Sequence, residues 1–327
     1  LKKILVIRFS SIGDIVLSTP VLRGLKLQLG AEVHVLTKTE YAGILSPNPY
    51  VDKVISIDKY VTEVIASLRL EDYDFVVDLH HNMRSGSVKR ALGKPHASVN
   101  KLNIRKFLLV YFKWNRMPPI HIAERYLQTV EKLGVKNDQK GLDFFIPPSQ
   151  EVDVSSMPFL RKGYIGFAIG AQHYTKRLPT NKIISICRQI NQRIVLLGGK
   201  EDEAVAEEVR LAVGEQVVNA CGKYNLQQSA SLVRQSKMMI SHDTGLMHIA
   251  AAFKKNIVSV WGNTVPDFGM YPYLTGHGPQ GAGTIAEVKG LSCRPCSKIG
   301  FQKCPKGHFK CMNLIDEALI VQSCKEE

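Results

Sequence analysis

The sequence predicts an α/β protein with two doubly wound parallel sheets. Three observations carry that prediction. Short apolar runs bounded by turn residues alternate with segments of helical period, the pattern of βαβ units. The alternation pauses at Ile146-Pro147-Pro148-Ser149, a linker composition, and restarts beyond it. The 327 residues exceed what one hydrophobic core usually serves. The domains are therefore expected at 1–150 and 151–327, both Rossmann-like, facing each other across a cleft at the carboxyl ends of their sheets.

The elements follow in order. Residues 4–7 read as a first buried strand, and Arg8-Phe9-Ser10-Ser11-Ile12-Gly13-Asp14 as the loop after it. Helical period then runs through Leu17, Val21, Leu22, Leu25 and Leu29. Pro20 lacks the N–H that a helix interior needs. Either residues 15–18 form a preliminary turn and Thr19 caps a helix with Pro20 at its first position, or the helix is kinked. Strands are expected at 32–36, 53–57 and 75–79, and helices at 61–70 and 122–133, the latter stopped by Gly134.

In the second half, strands fall at 164–168, 194–197, 217–219, 238–241 and 257–261. Helices fall at 181–191, 204–213, 226–235 and 244–253. The chain is then loop-rich to about residue 310, and a last helix, about 314–323, is expected to pack back on the first domain.

The net charge of +14 and the pI of about 9.4 favour an anionic partner: a phosphorylated small molecule, nucleic acid or an acidic membrane surface. No apolar run reaches the length of a membrane-spanning helix, and Leu1-Lys2-Lys3-Ile4 reads as a strand start rather than a signal peptide. Seven cysteines without a secretory signal point to reduced thiols in the cytosol. No Gly-x-Gly-x-x-Gly follows the first strand and no Gly-x-x-x-x-Gly-Lys-Ser/Thr occurs, which disfavours a nicotinamide dehydrogenase or a P-loop ATPase.

Chemistry is expected at strand ends. In the 238–261 unit, Asp243 or Thr244 can cap the helix, and Gly245 lets a ligand approach its backbone. A helix start attracts anions through its free N–H groups and positive dipole end. His248 lies within one turn of Asp243 and Thr244. In the loop Gly170-Ala171-Gln172-His173-Tyr174-Thr175-Lys176-Arg177-Leu178-Pro179, Lys176 and Thr175 can hold phosphate oxygens, although a Lys-Arg pair also suits a solvated loop. After 194–197, Glu201 or Glu203 can bond ribose hydroxyls or counter a helix dipole. In the first loop Gly13 permits a tight turn; Asp14 can take a proton from a substrate hydroxyl or cap the next segment.

Together these segments resemble glycosyltransferase family 9, the heptosyltransferases of lipopolysaccharide core assembly. The matching residues are Arg8-Phe9-Ser10-Ser11-Ile12-Gly13-Asp14-Ile15-Val16-Leu17-Ser18-Thr19-Pro20, then Lys176-Arg177-Leu178-Pro179, then Asp243-Thr244-Gly245-Leu246-Met247-His248-Ile249-Ala250-Ala251-Ala252. The resemblance implies a GT-B fold and an inverting, metal-independent transfer from a nucleotide-diphosphate heptose, typically ADP-linked, without a cofactor. It implies Asp14 as general base, Lys176 at the donor phosphate, and Asp243 with the backbone of Thr244, Gly245 and Leu246 at the donor sugar and pyrophosphate. Glu201 matches the family's loop only within one or two positions.

The acceptor, expected to be a phosphorylated glycolipid, is assigned to the first domain: Ser10, Ser11, Gly13, His80, Arg84 and Lys89. Arg105, Lys106 and Lys113 interleave with Phe107, Tyr111, Phe112 and Trp114, which suits a glycolipid at an acidic membrane surface and would also suit single-stranded nucleic acid. The enzyme reading leaves nucleic acid out and places the protein in the cytoplasm, peripheral to the inner membrane. Other readings are a GT-B enzyme using a different nucleotide sugar, an epimerase, or a basic nucleic-acid-binding protein. Cys293, Cys296, Cys304 and Cys311, with His308 among them, have ligand-like spacing; reduced packing cysteines are the favoured reading and zinc the lesser one.

Overall fold

The computed structural model describes residues 2–275 and 283–325. Its contacts form two units, Leu1–Lys101 with Ile120–Phe145, and Leu102–Pro119 with Ile146–Glu327. The division along the chain lies at Phe145 and Ile146, but 102–119, expected in the first domain, groups with the second unit. The reason is packing: Leu109 and Val110 bury their side chains against Val265 and Phe268. Burial of apolar surface overrides position along the chain.

The first unit contains β1 (Lys3–Ile7), α1 (Ile12–Leu17), α2 (Thr19–Leu29), β2 (Glu32–Lys38), α3 (Thr39–Leu45), β3 (Lys53–Ile57), α4 (Ile65–Leu70), β4 (Phe75–Asp78), α5 (Met83–Leu92) and β5 (His96–Ser98). The helix α6 (Asn103–Phe107) belongs to the excursion, and α7 (Ile122–Leu127) returns to the first unit. The sheet is wholly parallel in the order β3-β2-β1-β4-β5. Ile4, Leu5, Val6 and Ile7 are fully buried, as a central parallel strand covered on both faces requires.

Pro20 is accommodated by a break. The chain forms two helices, and Pro20 lies in the first turn of α2, where its missing N–H costs no bond. At the junction the Ser18 and Thr19 hydroxyls donate to the carbonyls of Ile15 and Val16. The expected helix at 122–133 stops at Leu127, and a 3-10 turn, Glu131–Leu133, ends at left-handed Gly134. The helices α3 and α5 and the short strand β5 were not expected; each is brief and polar, so its period is weak.

The second unit contains β6 (Ile165–Ala168), α8 (Thr180–Gln189), β7 (Ile194–Leu197), α9 (Glu203–Val213), β8 (Val217–Asn219), α10 (Leu226–Gln235), β9 (Met238–His242), α11 (Gly245–Ala252), β10 (Asn256–Trp261), β11 (Thr284–Glu287), α12 (Lys310–Asn313) and α13 (Glu317–Ser323). All strands are parallel, in the order β11-β10-β9-β6-β7-β8. The edge strand β11 lies inside the region read as loop. The last helix packs within the second unit. Glu317 accepts from Lys182 at 2.7 Å and from the Ser185 hydroxyl at 2.5 Å, so α13 is held on α8 of its own unit. Ile320 and Val321 complete that unit's core.

In each unit the chain builds outward from a central strand in one direction, then returns to build in the other. The reversal lies between β1 and β4 in one sheet and between β6 and β9 in the other. Ligands of open α/β sheets bind at such points, outside the carboxyl ends of the two strands.

Candidate active site

In the first unit, Arg8 leaves the carboxyl end of β1 and its guanidinium stays buried. It donates to the carbonyls of Ser10 (2.7 Å) and Leu79 (2.5 Å), tying the loop after β1 to the end of β4. Its remaining nitrogen meets Asp14 Oδ2 at 2.7 Å. The Ser11 hydroxyl donates to the same oxygen at 3.0 Å, and the Tyr126 hydroxyl donates to Oδ1 at 3.0 Å. Burial pushes the Tyr126 phenol up, so it remains a donor. Asp14 lies in the first turn of α1, so it does not cap the segment. Three donors fix the carboxylate, and 21% of its side chain is exposed.

His80 follows β4, edge-on to the Phe9 ring. Burial, with Arg8 nearby, holds its imidazole down at about 4 and therefore neutral near pH 7. The other residues expected at an acceptor are differently placed. Ser10 uses its carbonyl on Arg8, Gly13 is buried inside α1, and Arg84 is exposed on the first turn of α5. Lys89 spends its ammonium on Asp78 (2.9 Å) and the Ser98 hydroxyl (2.7 Å), which secures α5 to the sheet.

In the second unit the loop after β6 brings Lys176 to the end of β9. Its ammonium meets Asp243 Oδ2 at 2.6 Å and the Asp243 carbonyl at 3.2 Å. The Thr264 hydroxyl, just past β10, donates to the same carboxylate oxygen at 2.9 Å. Asp243 therefore positions the lysine instead of capping α11. Thr244 occupies the cap position without a side-chain cap, which leaves the first-turn amides of Gly245, Leu246 and Met247 uncapped. A helix start with that character, beside an ammonium, is suited to a phosphate group.

Thr175 is 1% exposed; its hydroxyl donates to Asn263 at 3.0 Å and accepts the Phe301 N–H at 2.8 Å. His248 is buried, 2% exposed, on α11. Glu201 is exposed, with its carboxylate folded back over Gly199. Its neighbour Asp202 does the structural work. It accepts the Gly199 N–H at 2.9 Å and pairs with Arg177 at 2.8 Å, joining the loops after β7 and β6. Burial pushes its carboxyl up while Arg177 opposes the shift. A Cβ at Gly170 or Gly198 would overlap this carboxylate, so those glycines admit Asp202. His242 is buried at the end of β9 and accepts the Leu178 N–H at 3.0 Å, bracing the lysine loop. Burial holds its imidazole down at about 4.

The roles of Arg8, Tyr126, Asp202 and Thr264 escaped the sequence reading. Tyr126 stands 112 positions from Asp14 and no local pattern joins them. Thr264 had a signal, since it follows a strand beside the one that ends at His242, just before Asp243.

The tail cysteines lie near one another, and Cys293 Sγ stands 3.8 Å from His308 Nε2. Burial, then the neighbouring thiols, pushes the Cys296 and Cys311 thiols up, the latter to about 11. Among the described residues, the group whose ligand atoms all lie within 4.8 Å of one another is Glu32, His34 and Glu71. That group is already neutralised, because Lys3 pairs with Glu71 at 3.0 Å and with Glu32 at 3.4 Å.

Two parallel sheets, with a fixed carboxylate at one reversal point and a fixed ammonium beside a helix start at the other, suit acid–base and phosphate chemistry. The sequence profile of glycosyltransferase family 9 (heptosyltransferase) matches residues 61–278. Lipooligosaccharide heptosyltransferase 2 of Haemophilus influenzae is 25% identical over 292 residues, covering 81% of this chain and 84% of that protein. The glycosyltransferase family 9 structure from Veillonella parvula superposes with a TM-score of 0.78 at 22% identity, over 99% of this chain and 96% of that one. The Escherichia coli heptosyltransferase WaaC, solved with ADP, gives 0.62 at 22% identity, over 81% and 88%. The chain is therefore a glycosyltransferase with the GT-B fold, and it belongs to glycosyltransferase family 9, the heptosyltransferases.

Proposed function

We propose that this enzyme moves a heptose from ADP-heptose to a lipopolysaccharide core acceptor, with inversion at the anomeric carbon and no divalent ion. The observation that carries the reading is the Lys176 ammonium, held by Asp243 and Thr264 next to the uncapped start of α11. A departing diphosphate gains negative charge as the glycosidic bond breaks. Lys176 and the amides of Gly245 and Leu246 meet that charge without reorganising, which is electrostatic catalysis.

Asp14 supplies the other half of the reaction. As the acceptor oxygen forms its bond to the anomeric carbon, its proton passes to the Asp14 carboxylate and the C–O bond to the diphosphate breaks. A base needs a fixed geometry and an open face. Arg8, Ser11 and Tyr126 hold the carboxylate, and it keeps partial exposure. His80, neutral and nearby, offers a ring nitrogen to a sugar hydroxyl of the acceptor.

The matched relatives support the donor and acceptor: they are named as lipopolysaccharide or lipooligosaccharide heptosyltransferases, and WaaC was solved with ADP. Calorimetric titration with ADP and with UDP tests the donor. ADP is expected to bind at least about tenfold more tightly, a difference of about 1.4 kcal/mol. Tighter binding of UDP would remove the ADP-heptose assignment and favour another nucleotide sugar.

A further inference from the structure

The excursion 102–119 is apolar on two sides. Its inner side, Leu109 and Val110, is buried against the second unit. Its outer side carries Ile104 (78% exposed), Phe107 (49%), Tyr111 (70%), Phe112 (58%) and Trp114 (63%). The rings touch one another: Phe107–Tyr111 centroids are 4.6 Å apart, Phe107–Phe112 6.0 Å and Phe112–Trp114 6.1 Å. A contiguous exposed patch of this kind marks an interaction surface. The segment is anchored from within, since Lys113 turns back to donate to the carbonyls of Val110 (2.6 Å) and Pro295 (2.7 Å).

Charge identifies the partner. Residues 102–119 carry Arg105, Lys106, Lys113 and Arg116 and no Asp or Glu, in a chain with 29 acidic residues. Arg105 and Arg116 are exposed within the excursion itself. We infer that this surface docks on an anionic phospholipid bilayer, with Ile104, Phe107, Tyr111, Phe112 and Trp114 entering the headgroup region and the arginines pairing with lipid phosphates. Trp and Tyr favour that depth, and basic residues near the surface add attraction to anionic lipid. Single-stranded nucleic acid is disfavoured by the same geometry: it needs separate flat stacking slots, whereas these rings close on each other and sit beside aliphatic Ile104. No helix among the described residues is long and apolar enough to cross a membrane, so the contact is superficial.

The chain contains two tryptophans, and Trp261 is fully buried, so Trp114 reports on the patch. The 327-residue chain is mixed with vesicles of phosphatidylglycerol and phosphatidylethanolamine, or of phosphatidylcholine alone. Expected results are sedimentation with the anionic vesicles and a blue shift of tryptophan emission that Trp114→Phe removes. Phe112→Ser with Trp114→Ser should weaken vesicle binding at least about tenfold while ADP binding is kept. Three results would each overturn the inference. One is no binding to anionic vesicles. Another is binding with Trp114 emission unmoved. The third is a dimer in solution that the double variant dissociates, meaning that a second copy covers the patch. ADP titration on the same preparations keeps this inference separate from the transfer reading.

Discussion

The two sheets carry the same device at the same topological place, and they carry it inverted. Each has a cation and a carboxylate paired where the strand order reverses. In the first unit the cation is covered: the Arg8 side chain is 8% exposed and Asp14 21%. In the second the carboxylate is covered: Asp243 is 10% exposed and Lys176 16%. One unit therefore leaves a carboxylate as the more exposed partner and the other an ammonium. The comparison teaches that the fold supplies the location, while the order of burial within the pair decides the chemistry.

The strongest way to break the comparison is at the first pair. Asp14→Asn keeps the shape and removes the base, so steady-state transfer should fall on the order of 10²–10⁴-fold. ADP affinity, measured by calorimetry, should be unchanged. Lost ADP binding would instead make Asp14 a structural residue. At the second pair, Lys176→Met should lower kcat on the order of 10²-fold or more and weaken ADP binding. Adding Asp243→Asn removes the part-buried carboxylate left without its partner. Thermal stability should recover in that double variant and the rate should not. A recovered rate would mean that the lysine serves only to neutralise Asp243.

A smaller effect sharpens the role of the supports. Tyr126→Phe deletes one donor to Asp14, worth about 1.4 kcal/mol, so kcat should drop about tenfold with ADP affinity intact. An equal loss in ADP binding would point to general damage. A separate effect is on stability against pH. Folded His242 titrates at about 4, against 6.5 for the ordinary imidazole. The unfolded chain therefore binds the extra proton first as pH falls. The stabilisation is complete above 6.5 and is lost progressively toward 4. His242→Gln keeps an acceptor for the Leu178 N–H and removes the titration, so Tm should vary less across that window than in the parent. An unaltered slope would show that His242 is not the group responsible.

Much of the second unit was legible because its elements are amphipathic and locally consistent. The ranges of β7, β8 and α10 follow from residues 194–197, 217–219 and 226–235 alone. In the first unit α3, α5 and β5 were not, since short polar elements take their stability from neighbours. The local motifs carry Asp14, Lys176 and Asp243, and the structure pairs Lys176 with Asp243 and Asp14 with Arg8. What a motif does not carry is how far burial and neighbours engage a polar group. Thr175 and Lys89 carry suitable functional groups, yet the first is enclosed against Asn263 and Phe301 and the second, on α5, pairs with Asp78.

The linear order of residues determined the alternating parallel architecture, the basic balance and the loops in which a base and a phosphate ligand could stand. Periodicity and charge are local properties, so they survive without coordinates. Tertiary structure alone decided that Tyr126 and Arg8 grip Asp14, that Thr264 joins Asp243 in holding Lys176, and that 102–119 packs with the second unit. Those outcomes join residues far apart in sequence. They depend on which side chains lose water together, and that is settled only when the sheets and their coverings have packed.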